Sequence, residues 1–271
     1  MAPKVGRKFK TRANWNLESS SSRSAHFDSV RFLTDKCEDT YETLTKYRSI
    51  WGERDIVLSK LDPSIRRNFV SRNWFSLCEV FDPPPTALIR EFYSNLSVYF
   101  EATGGHYLTS WIRGHKFTIN KQTVSKALGV LIVHKPTYPY TEFLAVDDMM
   151  SLLCGRLVSW GFEPRINSCE FTELNSLNLR ITCHNIYPIS HVHTVPIERC
   201  AFLYAFVTDG SMCFPSIFIQ TIVDVSRSTS KSQKLFFLMF IFRILRFLWL
   251  SEFPPLELVH IIAPIGATYL R

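Results

Sequence analysis

Cys183, His184, His191, His193 and Cys200 form the densest group of metal-ligating residue types in this chain. Zinc takes four such ligands in a tetrahedron, and closed structural sites are built from tight ligand pairs. Here there is no CxxC and no HxxxH, and Cys200 falls in an apolar helical pattern with Ile197, Leu203 and Tyr204. The spacing favours His191 and His193 as loop residues and the cysteines as core, so no metal is expected. If a metal were held, the set to examine is Cys183, His191, His193 and Cys200. Asp147-Asp148 is the second candidate, since metal-assisted phosphoryl transfer uses converging carboxylates. Glu163, Glu173, Glu198 and Asp209 are the other acids that could join it. Adjacent acids just ahead of an apolar helix more often serve as first-turn charges.

No serine or cysteine lies in a nucleophile motif, and GxSxG, GxGxxG, GxxxxGK[ST] and HExxH are all absent. Without them an ordinary nucleotide-using or metallo-hydrolytic enzyme is not the expected reading, and no cofactor is expected. A softer pattern points to nucleic acid. Lys8, Lys10, Arg66, Arg67, Arg113, Lys116 and Lys121 are the candidate contacts, and Phe69, Trp74, Trp111 and Phe117 are interleaved with the folded ones. Cations can neutralise phosphates while aromatic rings stack on bases. The same pattern also arises as a solvated rim around core aromatics.

The whole chain bounds these options. It has 271 residues, a formal net charge of +7, 22 Phe, 10 Tyr and 6 Trp, which is ample apolar material for one folded domain. A positive balance suits acidic partners such as DNA or RNA. Lys4, Arg7, Lys8, Lys10 and Arg12 precede any acid. Residues 1–25, basic and then Ser-rich, read as a disordered tail that serves nuclear import or nucleic-acid tethering, or simply solubility. The tail lacks an apolar stretch of the secretory kind, and the seven cysteines are odd in number and widely spaced. Both fit an intracellular, reduced protein, with the nucleus favoured. Leu235–Leu250 is too short to span a bilayer and carries Arg243 and Arg246, so no membrane span is expected.

The elements that must position these residues follow from periodicity. Phe27, Val30, Leu33, Cys37, Tyr41, Leu44 and Tyr47 recur at helical spacing and predict one amphipathic helix over 26–50. Asp62-Pro63 predicts the start of a helix through Ile65 and Phe69, with Arg66, Arg67 and Arg72 toward solvent. Trp111, Ile112, Phe117 and Ile119 alternate around Arg113-Gly114, a β-hairpin. Asn120 and Gly129 read as the cap and stop of a helix carrying Val124, Ala127 and Leu128. Helices are also expected over 88–96, 147–160, 171–184, 197–207, 217–225 and 235–250, and a short strand or turn over 259–265. The expected fold is mainly α, one helical domain with a small β-hairpin.

The strings LDPSIRRNF, PPPTALIREFYSNLSVY, SWIRGHKFTIN, PTYPYTE, DDMMSLL, ELNSLNLRITCHNIYPISHVHTVPIERCAFLYAFVTDG and HIIAPIGATYL carry a family resemblance. Residues 51–271 resemble the putative plant transposon protein domain, found in retroelement-linked plant reading frames. The hairpin–helix unit is distantly similar to the plant mobile domain. The resemblance implies an origin in a mobile element and supplies no catalytic residue. Residues 225–250 are more Phe-rich and basic than the family pattern, and a longer coding region often follows HIIAPIGATYLR in the family, which makes a fragment one reading. The functional expectation is a transposon-derived, non-enzymatic interaction or nucleic-acid-associated module, partnered by DNA, RNA or other transposon-encoded proteins. A decayed transposase or integrase-type nuclease and a self-associating, capsid-like scaffold stand as the alternatives.

Overall fold

The computed structural model describes residues 27–79, 85–102, 104–140, 145–158, 165–189 and 192–248. The tail expected over 1–25 and the strand or turn over 259–265 lie outside them. About half of the described residues are helical. Two small antiparallel sheets give the fold a mixed α/β character rather than a purely helical one.

The hairpin and its helix form as the residue types dictate. β2 (His106–Ile112) pairs with β3 (His115–Ile119), and Ile112 faces His115 across a two-residue turn. Arg113 and Gly114 both take positive φ, +48° and +87°, which matches the twist of a tight hairpin. Asn120 then accepts from the Thr123 amide at 2.9 Å and starts α4 (Lys121–Leu128). Gly129 ends it in the left-handed conformation. A third strand, β1 (Ser97–Phe100), adds to β2 through the turn at Gly104-Gly105. β4 (Arg165–Asn167) and β5 (Thr194–Pro196) form the second sheet. At three residues each, these last strands are too short to show alternation, which is why a reading of mainly α with one small β-hairpin missed them.

The entry of the chain departs from expectation. Instead of one helix over 26–50, α1 covers only Asp35–Thr43. Thr34 is its N-cap, its hydroxyl accepting from the Cys37 amide, and the described residues before it, 27–33, form a loop laid on the hairpin. The Val30 carbonyl accepts from the Gly114 amide, Trp111 donates to the Ser29 carbonyl, and Phe32 is buried. The helical spacing of Phe27, Val30 and Leu33 was therefore fortuitous: Val30 and Leu33 are exposed.

α2 (Pro63–Val70) starts at Asp62, as its Asp-Pro signal predicts, and α3 (Thr86–Ser94) packs on β2. α5 (Val146–Cys154) stops earlier than expected because Gly155 turns left-handed at φ +69°. α6 (Glu173–Ile181) runs into a π-helical turn over Thr182–Ile186. That turn aims the Asn185 side chain at the backbone of Arg54 and Leu77, a long-range reason for local distortion.

α7 (Ile197–Val207), α8 (Phe214–Arg227) and α9 (Leu238–Phe247) supply the apolar centre. Phe214, Phe218, Phe237 and Phe240 pack ring against ring, and Trp74 and Phe206 extend the group. A second cluster joins α5, α6 and β4–β5 to the other side of α7, through Met150, Leu153, Phe171, Leu179 and Leu203. α9 begins three residues later than its apolar run because Leu235 pairs with the backbone of Ser49 and Trp51. Among the described residues no helix is long and apolar enough to cross a membrane.

Segment 48–56 locks this centre from outside the helices. Arg48 is buried and donates to the carbonyls of Val225, Ser228 and Ser230, closing the end of α8. Glu53, also buried, accepts from the amides of Met239 at 2.9 Å and Phe240 at 3.0 Å. A remote carboxylate thus caps the first turn of α9, where no local side chain does.

Candidate functional site

Between Glu101 and Glu142 the chain has no Asp or Glu, yet carries Arg113, Lys116, Lys121, Lys126, Lys135 and three histidines. The three-stranded sheet and α4 display this stretch. Leu108, Ser110 and Ile112 of β2, with Phe117 and Ile119 of β3, face the core. Strand alternation then puts Tyr99, Tyr107, Thr109, Trp111, Lys116 and Thr118 on the opposite face. Tyr99 and Tyr107 are direct cross-strand partners, and their rings stack at 5.2 Å with a 16° interplanar angle. Tyr99 is 44% exposed. Lys116 is exposed, and Trp111 lies across from it in the register. The face offers flat aromatic surface at the Tyr99–Tyr107 pair and a cation, Lys116, opposite Trp111 further along the sheet.

The predicted cations do not all belong to this face. Arg113 turns to Glu91 of α3, its Nε 3.3 Å from the carboxylate, and Arg31 approaches the same group at 2.8 Å. Glu91 has no exposed side-chain surface. Burial raises its pKa, opposed first by the hydrogen bond from Arg31 and then by the charge of Arg113. Arg113 therefore helps hold the entry loop and hairpin to α3. Arg66 and Arg67 are exposed on α2. Lys121 is half-buried at the start of α4, and Lys8 and Lys10 lie outside the described residues. Arg72, expected toward solvent, is instead inside: it donates to the carbonyls of Asn68, Ala205 and Gly210 and lies over the rings of Trp74 and Phe206. Its cationic head joins the end of α2 to the end of α7, and burial lowers its pKa.

The candidate metal set does not assemble among the described residues, and His191 lies outside them. Cys183 and Cys200 sit with Cys154 in the second apolar cluster. Burial pushes both thiols up to about 12. His193 is exposed, and its backbone carbonyl receives the Ser168 amide. Asp147 and Asp148 are exposed in the first turn of α5, where they complement the helix dipole. Glu173 and Glu198 occupy the first turns of α6 and α7, and Asp209 pairs with Arg72. Glu163 lies outside the described residues, and no three acids converge among those described. The C-terminal helices, where a self-associating scaffold would need an apolar patch, bury most of theirs; Phe247 is the large side chain they expose among the described residues.

The Tyr99–Tyr107 pair was not singled out from the sequence. Its signal is present in the strings SVYF and HYLTSWI, where aromatic and polar residues alternate with aliphatic ones. Only pairing β1 with β2 makes the two tyrosines neighbours.

Fold and site define a mixed α/β module with an aromatic sheet face that carries Lys116 and, among the described residues, no convergent acids or metal ligands. Residues 70–247 match the family described as the putative plant retrotransposon-related domain. The match covers well over half of the chain, and the chain belongs to this family. No curated protein and no solved structure matches it.

Proposed function

We propose that this chain is a transposon-derived, non-enzymatic module that associates with nucleic acid in the nucleus through the outer face of its three-stranded sheet. The observation that carries the reading is the stacked Tyr99–Tyr107 pair, with Tyr99 exposed, on the sheet face that also carries Lys116 opposite Trp111. Unpaired bases stack on such rings whatever their sequence, and cations beside them follow the phosphates. DNA and RNA single strands are the partners this chemistry fits. Lys8 and Lys10 add a tether that would strengthen binding without selecting sequence. Other transposon-encoded proteins could bind alongside.

Binding of a fluorescent single-stranded oligonucleotide, titrated with salt, tests this. The expected result is binding that weakens steeply as salt rises, with a log–log slope smaller by about 0.7 in Lys116→Gln, the release of one counterion from a single strand. Absence of binding to either DNA or RNA at low salt would overturn the proposal.

A further inference from the structure

A half-enclosed cleft of about 330 Å³ lies between the β1–β2 turn, the start of α4, the loop over 133–139 and the first turns of α8. It is separate in function from the outer sheet face and plays no part in the reading above. Its volume is near the lower end of those that hold small organic ligands.

The lining has a consistent chemistry. Ile217, Ile219 and Pro136 provide apolar walls. Lys121, His106 and His134 provide nitrogen donors, and Ser216 and Gln220 provide neutral polar groups. No Asp or Glu lines the cleft. Asp224 lies one turn beyond Gln220 on α8 and accepts from its amide at 2.8 Å, which orients that side chain. Lys121 makes no ion pair among the described residues, and a Cβ built on Gly105 would stand 3.3 Å from its amine. Gly105 has φ +102°, so both the turn and the position of the lysine call for glycine there. Lys121 is also the first residue of α4, where the helix dipole adds positive potential. His106 packs against the ring of Phe100, and its Nε2 is shielded from solvent with no hydrogen-bond partner among the described residues. Polar atoms so placed are uncommon in folded proteins.

We infer that this cleft binds a small organic anion: one acidic head group held at Lys121 and the histidines, with a planar apolar body against Ile217 and Pro136. The lysine side chain and the helix start concentrate positive potential at one place, and the apolar walls favour a ligand that is more than a bare ion.

The test uses the full chain with 1-naphthyl phosphate as probe and 1-naphthol as its neutral counterpart, followed by NMR at the histidine Cε1–H groups. Naphthyl phosphate is expected to shift His106 and His134 at saturable concentration, leaving His115 and His193 unmoved. Lys121→Gln is expected to weaken binding by about tenfold, the loss of one charge-assisted contact, and Lys121→Arg to restore most of it. Gln220→Leu, away from the helix start, should weaken it as well. Tyr99→Ala and Lys116→Gln should leave it unchanged, so failure of this site and failure of the sheet-face reading are read separately. Equal binding of naphthol, unchanged affinity in Lys121→Gln, or shifts confined to His115 and His193 would each overturn the inference.

Discussion

Glu53, buried under α9, and His184, half-buried against Trp51, respond to pH in opposite directions. Burial raises the Glu53 carboxyl to about 7, outweighing the two backbone amides it caps. Burial also lowers His184 to about 4, helped by the charges of Arg54 and Lys234. The folded chain holds the Glu53 proton that the unfolded chain releases, so that contribution to stability is full below about pH 4.5 and is lost as pH rises through 7. For His184 the unfolded chain takes up a proton that the fold excludes, and stability falls as pH drops from about 6.5 through 4. The two slopes oppose each other between them. His184→Phe keeps the stack on Trp51, whose rings lie 4.7 Å apart, and removes the acid limb. Urea midpoints of that variant should then fall steadily from pH 5 to pH 7, and a flat profile would refute the assignment. None of this was legible in the sequence. Glu53, Arg48, Glu91 and Arg72 look like ordinary surface charges until partners 60 to nearly 190 residues away close on them.

At the level of elements, the signals that could be read were those contained within a few residues. Asp62-Pro63, Arg113-Gly114 and the Asn120…Gly129 frame all act locally, and each formed where its residue types required. Gly129 gives a clean check. A Cβ there would meet only the Ser76 hydroxyl, at 3.8 Å, so Gly129→Ala has room but must hold φ +68°. The expected cost is about 1 kcal/mol, measured by chemical denaturation, and an unchanged midpoint would contradict the cap. The periodicity over 27–47 misled because a loop that wraps a hairpin can place its apolar residues at helical spacing by chance. In the fold α1 starts instead at Thr34, whose hydroxyl caps it. β4 and β5 could not be read at all, since three residues give no period.

The family match covers residues 70–247, but the molecule is tied together further upstream. Trp51 and Ser49 pair with Leu235, Arg48 closes the end of α8, and Glu53 caps α9. A chain beginning at residue 57 would leave the Met239 and Phe240 amides buried without a partner, a cost of about 1–3 kcal/mol for each. Calorimetry should show a single cooperative transition for a chain beginning at residue 27 and none for one beginning at 57. Equal transitions in both would show that the upstream segment is an ornament. The mixed α/β balance, the membership in a plant retrotransposon-related family and the acid-free span from 102 to 141 are properties of the whole molecule. The last was visible in the sequence, but its meaning depends on the sheet that gathers it. The direct test is the affinity of the Tyr99→Ala, Tyr107→Ala double variant for a labelled single-stranded oligonucleotide at low salt. Stacking predicts a loss of about 1–3 kcal/mol per base released, with the fold intact by circular dichroism. Affinity unchanged from that of the native chain would contradict the sheet face as the binding surface.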